Sequence, residues 1–328
     1  MVDAINSDDS AELGLTFAYR DEFLDLFYDP SDLQINSRTS CKLSVLKIEN
    51  GDFILDRLYE ALSDASLSYV LSRREIQDFQ ADPMRAMKIT NDVRSRFQKP
   101  NAKNGEGGEV LLYALLETIT GAPKLLSKMG LKTNNEMPIF GSDGLHLLKV
   151  DDKNYQLIFG ESKMYGDLGE AISNAFLSMY NASQDRFVQD RCLVAPQLMR
   201  ETVSDAQLKF IESVLTPTAG SGSSRPQQAF GVFVAFDIEV DDYPLAIHSD
   251  EEIKAEYLSR ANDKMAAKIP LIRKKIHQYG FDAVPFHIFA IPFLKKMVNG
   301  EQLGAAQARV EMQRHLRFGH VPKDQDVA

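Results

Sequence analysis

Two apolar runs limit what this chain can fold into. Residues 231–240 (GVFVAFDIEV) and 286–293 (FHIFAIPF) are near-continuous stretches of Val, Ile, Phe and Ala. Runs of this length and composition read as strands buried on both faces, and such strands occur in sheets covered by helices on each side. A helical stretch over residues 250–279 separates them, so both are expected in one sheet of an α/β fold. The chain has 328 residues, 44% of them apolar, enough for one large core or two ordinary ones.

Upstream, the pattern predicts a mixed α/β region over residues 1–100. A strand is expected at 43–48 (LSVLKI), a helix at 52–62, and a helical stretch over 73–97 broken near Pro83. Residues 99–108 (KPNAKNGEGG) are polar and glycine-rich, and they place a boundary between that region and the rest, 101–328. A helix is then predicted to open at Glu109 and to end at Gly121-Ala122-Pro123. Strands over 140–150 and 155–163 flank a short polar turn and make a hairpin. Asp167 caps the next helix, with Glu170 three positions on. Its apolar residues Leu168, Ala171, Ile172, Ala175, Phe176 and Met179 keep one helical stripe. A strand is expected at 192–195, a helix at 206–215, and a flexible linker at 216–228 (TPTAGSGSSRPQQ).

Charge bears on partners. The net charge is −10, and residues 1–60 hold thirteen acids against five bases. Binding to nucleic acid alone needs basic groups that displace counterions from phosphates. If this chain acts on DNA, something else is expected to deliver the DNA, and the acidic first region reads either as a docking element or as a solvated surface that aids solubility. Arg273, Lys274 and Lys275 form the densest basic cluster. They read either as a phosphate contact or as a solvated helix end favourable to the macrodipole. No run is long and apolar enough for a membrane span and the N-terminus has no signal-peptide pattern, so a soluble, cytoplasmic protein is expected. Cys41 and Cys192 are too few for a disulfide framework and are expected to be buried thiols. There is no P-loop, no complete dinucleotide fingerprint, no HExxH and no GxSxG elbow.

What remains is a set of carboxylates with a lysine. Glu161 and Lys163 lie two apart on a predicted strand and leave the same face of the sheet. With an odd hairpin loop, facing residues have positions summing to 304, which sets Asp143 opposite Glu161. Two such acids repel and call for a hard cation, Mg²⁺ or Mn²⁺. A neighbouring ammonium would complete the parts for metal-assisted phosphodiester hydrolysis. The expected catalytic set is Glu109, Asp143, Glu161 and Lys163, with Asp143, Glu161 and Ser162 around the metal. Glu106 competes with Glu109 for the helix position. A structural ion pair is the alternative reading of the same residues.

The order helix with Glu109, strand with Asp143, strand with Glu161-Ser162-Lys163, then helix resembles the PD-(D/E)xK, restriction-endonuclease-like core. Longer runs are more specific. GEGGEVLLYALLE (105–117), GAPKLLSKMGLKTNNEMPIFGSDGLH (121–146) and FGESKMYGDLGEAISNAF (159–176) resemble the HamA family, the nuclease subunits of bacterial Hachiman anti-phage defence. Gly-Ser-Asp stands here where the motif's name has Pro-Asp. The resemblance implies a Mg²⁺-dependent DNA nuclease working with a superfamily 2 helicase of the HamB kind and held in check until infection. It also implies metal-ligand roles for Asp143 and Glu161, the catalytic lysine role for Lys163 and the helix glutamate role for Glu109. A catalytically silent subunit that restrains a helicase and a free-standing repair or restriction nuclease are the competing expectations.

Overall fold

A computed structural model describes residues 12–101, 104–131, 142–184, 201–215, 225–298 and 300–319. Its centre is a mixed sheet built from β1 (Ser31–Asn36), β2 (Thr39–Leu43), β5 (Lys124–Ser127), β6 (Gly144–Lys149), β7 (Tyr155–Met164), β8 (Gln227–Glu239) and β9 (Phe286–Val298). Their order across the sheet is β1-β2-β9-β8-β7-β6-β5, with β10 (Glu301–Leu303) paired to β9. The pairs β2/β9, β9/β8 and β8/β7 are parallel, while β7/β6, β6/β5 and β1/β2 are antiparallel. Strands β3 (Ile48–Glu49) and β4 (Asp52–Phe53) form a separate small ribbon. The two apolar runs are thus the parallel centre of the sheet, as their two-sided burial requires.

Helices cover both faces. α2 (Leu55–Val70), α5 (Glu106–Leu115) and α11 (Ala305–Phe318) pack together on one side. α5 lies so deep that all ten of its residues are buried. Two glycines, Gly160 and Gly231, make room for it and its continuation, facing each other across β7 and β8. A Cβ at Gly160 would stand 3.2 Å from Leu112, and one at Gly231 would stand 3.0 Å from Leu116. On the other face α7 (Leu168–Gln184) brings Phe176 onto Phe286 with ring centroids 5.3 Å apart, and Phe230 closes the cluster. Asp167 accepts a bond from the Glu170 N–H at 2.7 Å, so the expected cap at the start of α7 is present.

Several expectations need correction. The strand expected at 43–48 lies earlier, over Thr39–Leu43, where Cys41 and Leu43 point into the core and β2 finds β9 as a partner. The helix expected at 52–62 is α2, which runs on to Val70. α5 begins at Glu106 rather than Glu109. The stretch 250–279 is two helices, α9 (Asp250–Ala266) and α10 (Ile269–Gln278). Pro270 explains the break, because proline is tolerated in a helix's first turn but not in its interior. Strand β5 and helix α11 were not expected at all. The strand expected at 192–195, Cys192 itself, and residues 216–224 of the expected linker lie outside the described residues. β1 and β2 share hydrogen bonding with the sheet of the 101–328 region, and one hydrophobic core contains residues from Phe17 to Leu316.

Candidate active site

The register that sequence spacing predicts is present. Gly144 pairs with Gly160, Leu145 with Phe159 and His146 with Ile158, each pair summing to 304. Asp143 stands one residue ahead of β6, its N–H donating to the Gly160 carbonyl at 2.9 Å. Its carboxylate is the hub of the site. Oδ2 accepts from the Ser162 N–H at 2.8 Å and from the Ser162 hydroxyl at 2.9 Å. Oδ1 accepts from the Lys128 ammonium at 3.1 Å.

Glu109 reaches this hub from the α5 side. A Cβ at Gly108 would lie 3.3 Å from Ser162 Oγ and the same distance from Met164, so glycine there lets the helix close on β7. The next residue along the helix, Glu109, then meets Lys128 at 2.8 Å. The Tyr69 hydroxyl donates to Glu109 at 3.1 Å. Glu106 is turned elsewhere, accepting from the Gln98 N–H at 2.9 Å and from Gln313 of α11 at 2.6 Å. Of the two helix glutamates, Glu109 is therefore the one beside Asp143.

Ser162 and Met164 face α5, and alternation sends Glu161 and Lys163 to the opposite face. Ser178 of α7 bonds to Glu161 there, and Lys163 pairs with Glu161 through Oε1. The acids thus sit in two groups joined by Asp143, with Glu109 and Lys128 on one side and Glu161 and Lys163 on the other. Among the described residues no three His, Cys, Asp or Glu side chains are gathered closely enough to hold a metal ion. The opposed faces of Glu109 and Glu161 account for that.

The electrostatics are those of a site short of positive charge. Burial, followed by the charge of Asp143, pushes the Glu109 carboxyl up to about 7 even with Lys128 beside it. Burial and Asp143 likewise push Glu161 up to about 7 against the pull of Lys163. Burial disfavours the charged form of both lysines, but the carboxylates outweigh it and both ammonium groups are held above their ordinary range. All-oxygen donors with two lysines standing in as cations suit a hard divalent ion. Mg²⁺ needs only one or two carboxylates because it keeps several waters.

Sequence reasoning brought Asp143, Glu161 and Lys163 forward and missed Lys128 and Tyr69. Lys128 had a weak signal, a lysine in an apolar segment just ahead of the hairpin; Tyr69 had none. The basic cluster on α10 is partly structural, since Arg273 Nε donates to the Ile35 carbonyl of β1 at 2.8 Å and Lys275 lies 5.7 Å from the centre of the Tyr279 ring. Cys41 is buried as expected, and burial pushes its thiol up to about 12.

Fold and site define a mixed α/β protein with a helix-flanked central sheet and a buried acid and lysine constellation where two paired strands meet the first helix of the 101–328 region. The HamA family model matches residues 21–300, so the chain belongs to the HamA family and is a Hachiman-associated defence protein. No curated protein matches the chain. No helix among the described residues is long and apolar enough to cross a membrane.

Proposed function

We propose that this chain is a metal-dependent DNA nuclease on a PD-(D/E)xK core, the effector subunit of a helicase and nuclease defence complex. The observation that carries the reading is the placement of Asp143, Glu161 and Lys163 at the end of one β-hairpin in the expected register, with the acids buried and crowded. The three buried acids outnumber the two lysines beside them, and buried like charges cost stability unless enough positive charge joins them. Asp143 and Glu161, with Ser162 beside Glu161 on β7, would hold Mg²⁺ or Mn²⁺. A bound divalent ion polarises a phosphodiester and lowers the pKa of a bound water. Lys163, held protonated, serves as a donor that orients the attacking water and steadies charge on the phosphate oxygens rather than as a base. Glu109 meets Asp143 from the helix side.

The net charge of −10 supports a partnered enzyme, with a HamB-like superfamily 2 helicase supplying both ATP use and most of the DNA contact. The test is degradation of linear and circular DNA by the chain with its co-encoded helicase, ATP and Mg²⁺, comparing wild type with Glu161→Gln. Degradation by wild type alone supports the reading. Equal degradation by both proteins contradicts the site. No degradation by either favours a silent subunit that restrains the helicase.

A further inference from the structure

Lys128 opens the short helix α6 (Lys128–Leu131), straight after strand β5. Its ammonium lies 2.8 Å from Glu109 and 3.1 Å from Asp143, so one cation already joins two of the site's carboxylates. The exposures give the arrangement a direction. The Glu109 and Asp143 side chains are 6% and 9% exposed, while that of Lys128 is 41% exposed. The lysine therefore sits on the solvent side of the acids. A hydrated ion arriving from solvent meets Lys128 before it meets Asp143 Oδ1. Asp143 Oδ2 is taken by both donors of Ser162, which leaves Oδ1 as the oxygen for which lysine and metal compete.

We infer that Lys128 is an internal counter-ion that bridges the Asp143 and Glu109 carboxylates in the resting protein and must swing away from Asp143 before a divalent cation can bind that carboxylate. This rests on the metal-dependent reading above and adds a brake that belongs to the chain itself. The lysine has what displacement requires. Its stem is flexible and the side chain is 41% exposed, so the ammonium can swing into water, and the arriving dication takes over the carboxylate that the lysine gives up. Replacing one charge by two also relieves the repulsion between the acids.

The test is Mn²⁺ binding followed by titration calorimetry, with wild type, Lys128→Met and Lys128→Arg. Methionine keeps length and volume but carries no charge; arginine keeps the charge. Lys128→Met is expected to bind Mn²⁺ at least about tenfold more tightly than wild type, and Lys128→Arg within about threefold of wild type. Adding Asp143→Asn to Lys128→Met should cancel the gain. Should Lys128→Met fail to fold, Lys128→Gln takes its place, and melting with and without Mn²⁺ gives the same comparison through ligand-linked stabilisation. Equal affinity in wild type and Lys128→Met overturns the counter-ion role and leaves the metal reading standing. No Mn²⁺ binding by any of the proteins overturns both.

Discussion

His146 sits on β6 under the helices, and its surroundings make acid costly. The ring is buried, with Nδ1 2.8 Å from the Ala122 carbonyl. Burial pushes its pKa down to about 4. An unfolded histidine titrates near 6.5, so below that pH the unfolded chain takes up a proton that the folded chain refuses. The stability in question is complete above about pH 6.5 and is lost as pH falls towards 4. Glu109, Glu161 and Glu201, whose carboxyls burial raises, act in the opposite sense. They are common to wild type and to His146→Gln, so the comparison isolates the histidine. Urea unfolding at pH 7 and pH 4 should show wild type losing about 3 kcal/mol relative to His146→Gln; parallel losses would contradict it. At this scale the sequence was most readable where geometry is local. Strand alternation and hairpin register are short-range rules, and they placed Asp143, Glu161 and Lys163. Lys128 and Tyr69 enter the site through tertiary packing, from a short helix and from α2, and no spacing rule reaches that far.

Among the elements, α5 sets the geometry of the site, and its glycines set how close it comes. A Cβ on Gly107 would fall 2.6 Å from the Cβ of Met312 on α11, an atom that moves only with its backbone. Alanine would gain about 1 kcal/mol in helix propensity, but overpacking at such a contact costs about 1–3 kcal/mol and forces the helices apart. Gly107→Ala should therefore lower the denaturation midpoint and spread α5 from α11; a midpoint unchanged or higher would show that the helices have slack. The sequence announced α5 and α7 through their stripes and caps, and the central strands through their apolar runs. It was silent on β5, a four-residue strand whose only cue was its apolar pair Leu125 and Leu126. The stretch 250–279 divides because Pro270 interrupts an otherwise helical pattern.

Across the whole molecule, long-range polar contacts tie the first described residues to the core. Glu117, in the wide turn Leu116–Thr120 that continues α5, accepts from the N–H groups of Thr16 and Phe17 at 2.7 Å each and from the Thr16 hydroxyl at 2.8 Å. It also accepts from the Lys124 N–H at 2.9 Å. Glu117→Gln puts an amide donor where several donors already converge, and should cost about 2–4 kcal/mol in urea unfolding. A cost under about 0.5 kcal/mol would mean that the segment is held by other contacts. Such links between residues a hundred positions apart, like the pairing of β2 with β9, leave no trace in local pattern. The polar break ahead of α5 was visible, though its last three residues, 106–108, are helical, whereas the way β1 and β2 join the sheet was not. On the proposed function, Lys163 performs chemistry rather than holding the fold or a partner. The most direct measurement follows ATP hydrolysis and DNA degradation side by side in the complex of the proposed helicase with wild type or Lys163→Ala. ATP hydrolysis is expected within about twofold of wild type and degradation reduced by about 10²-fold or more. Degradation by Lys163→Ala at the wild-type rate would contradict it.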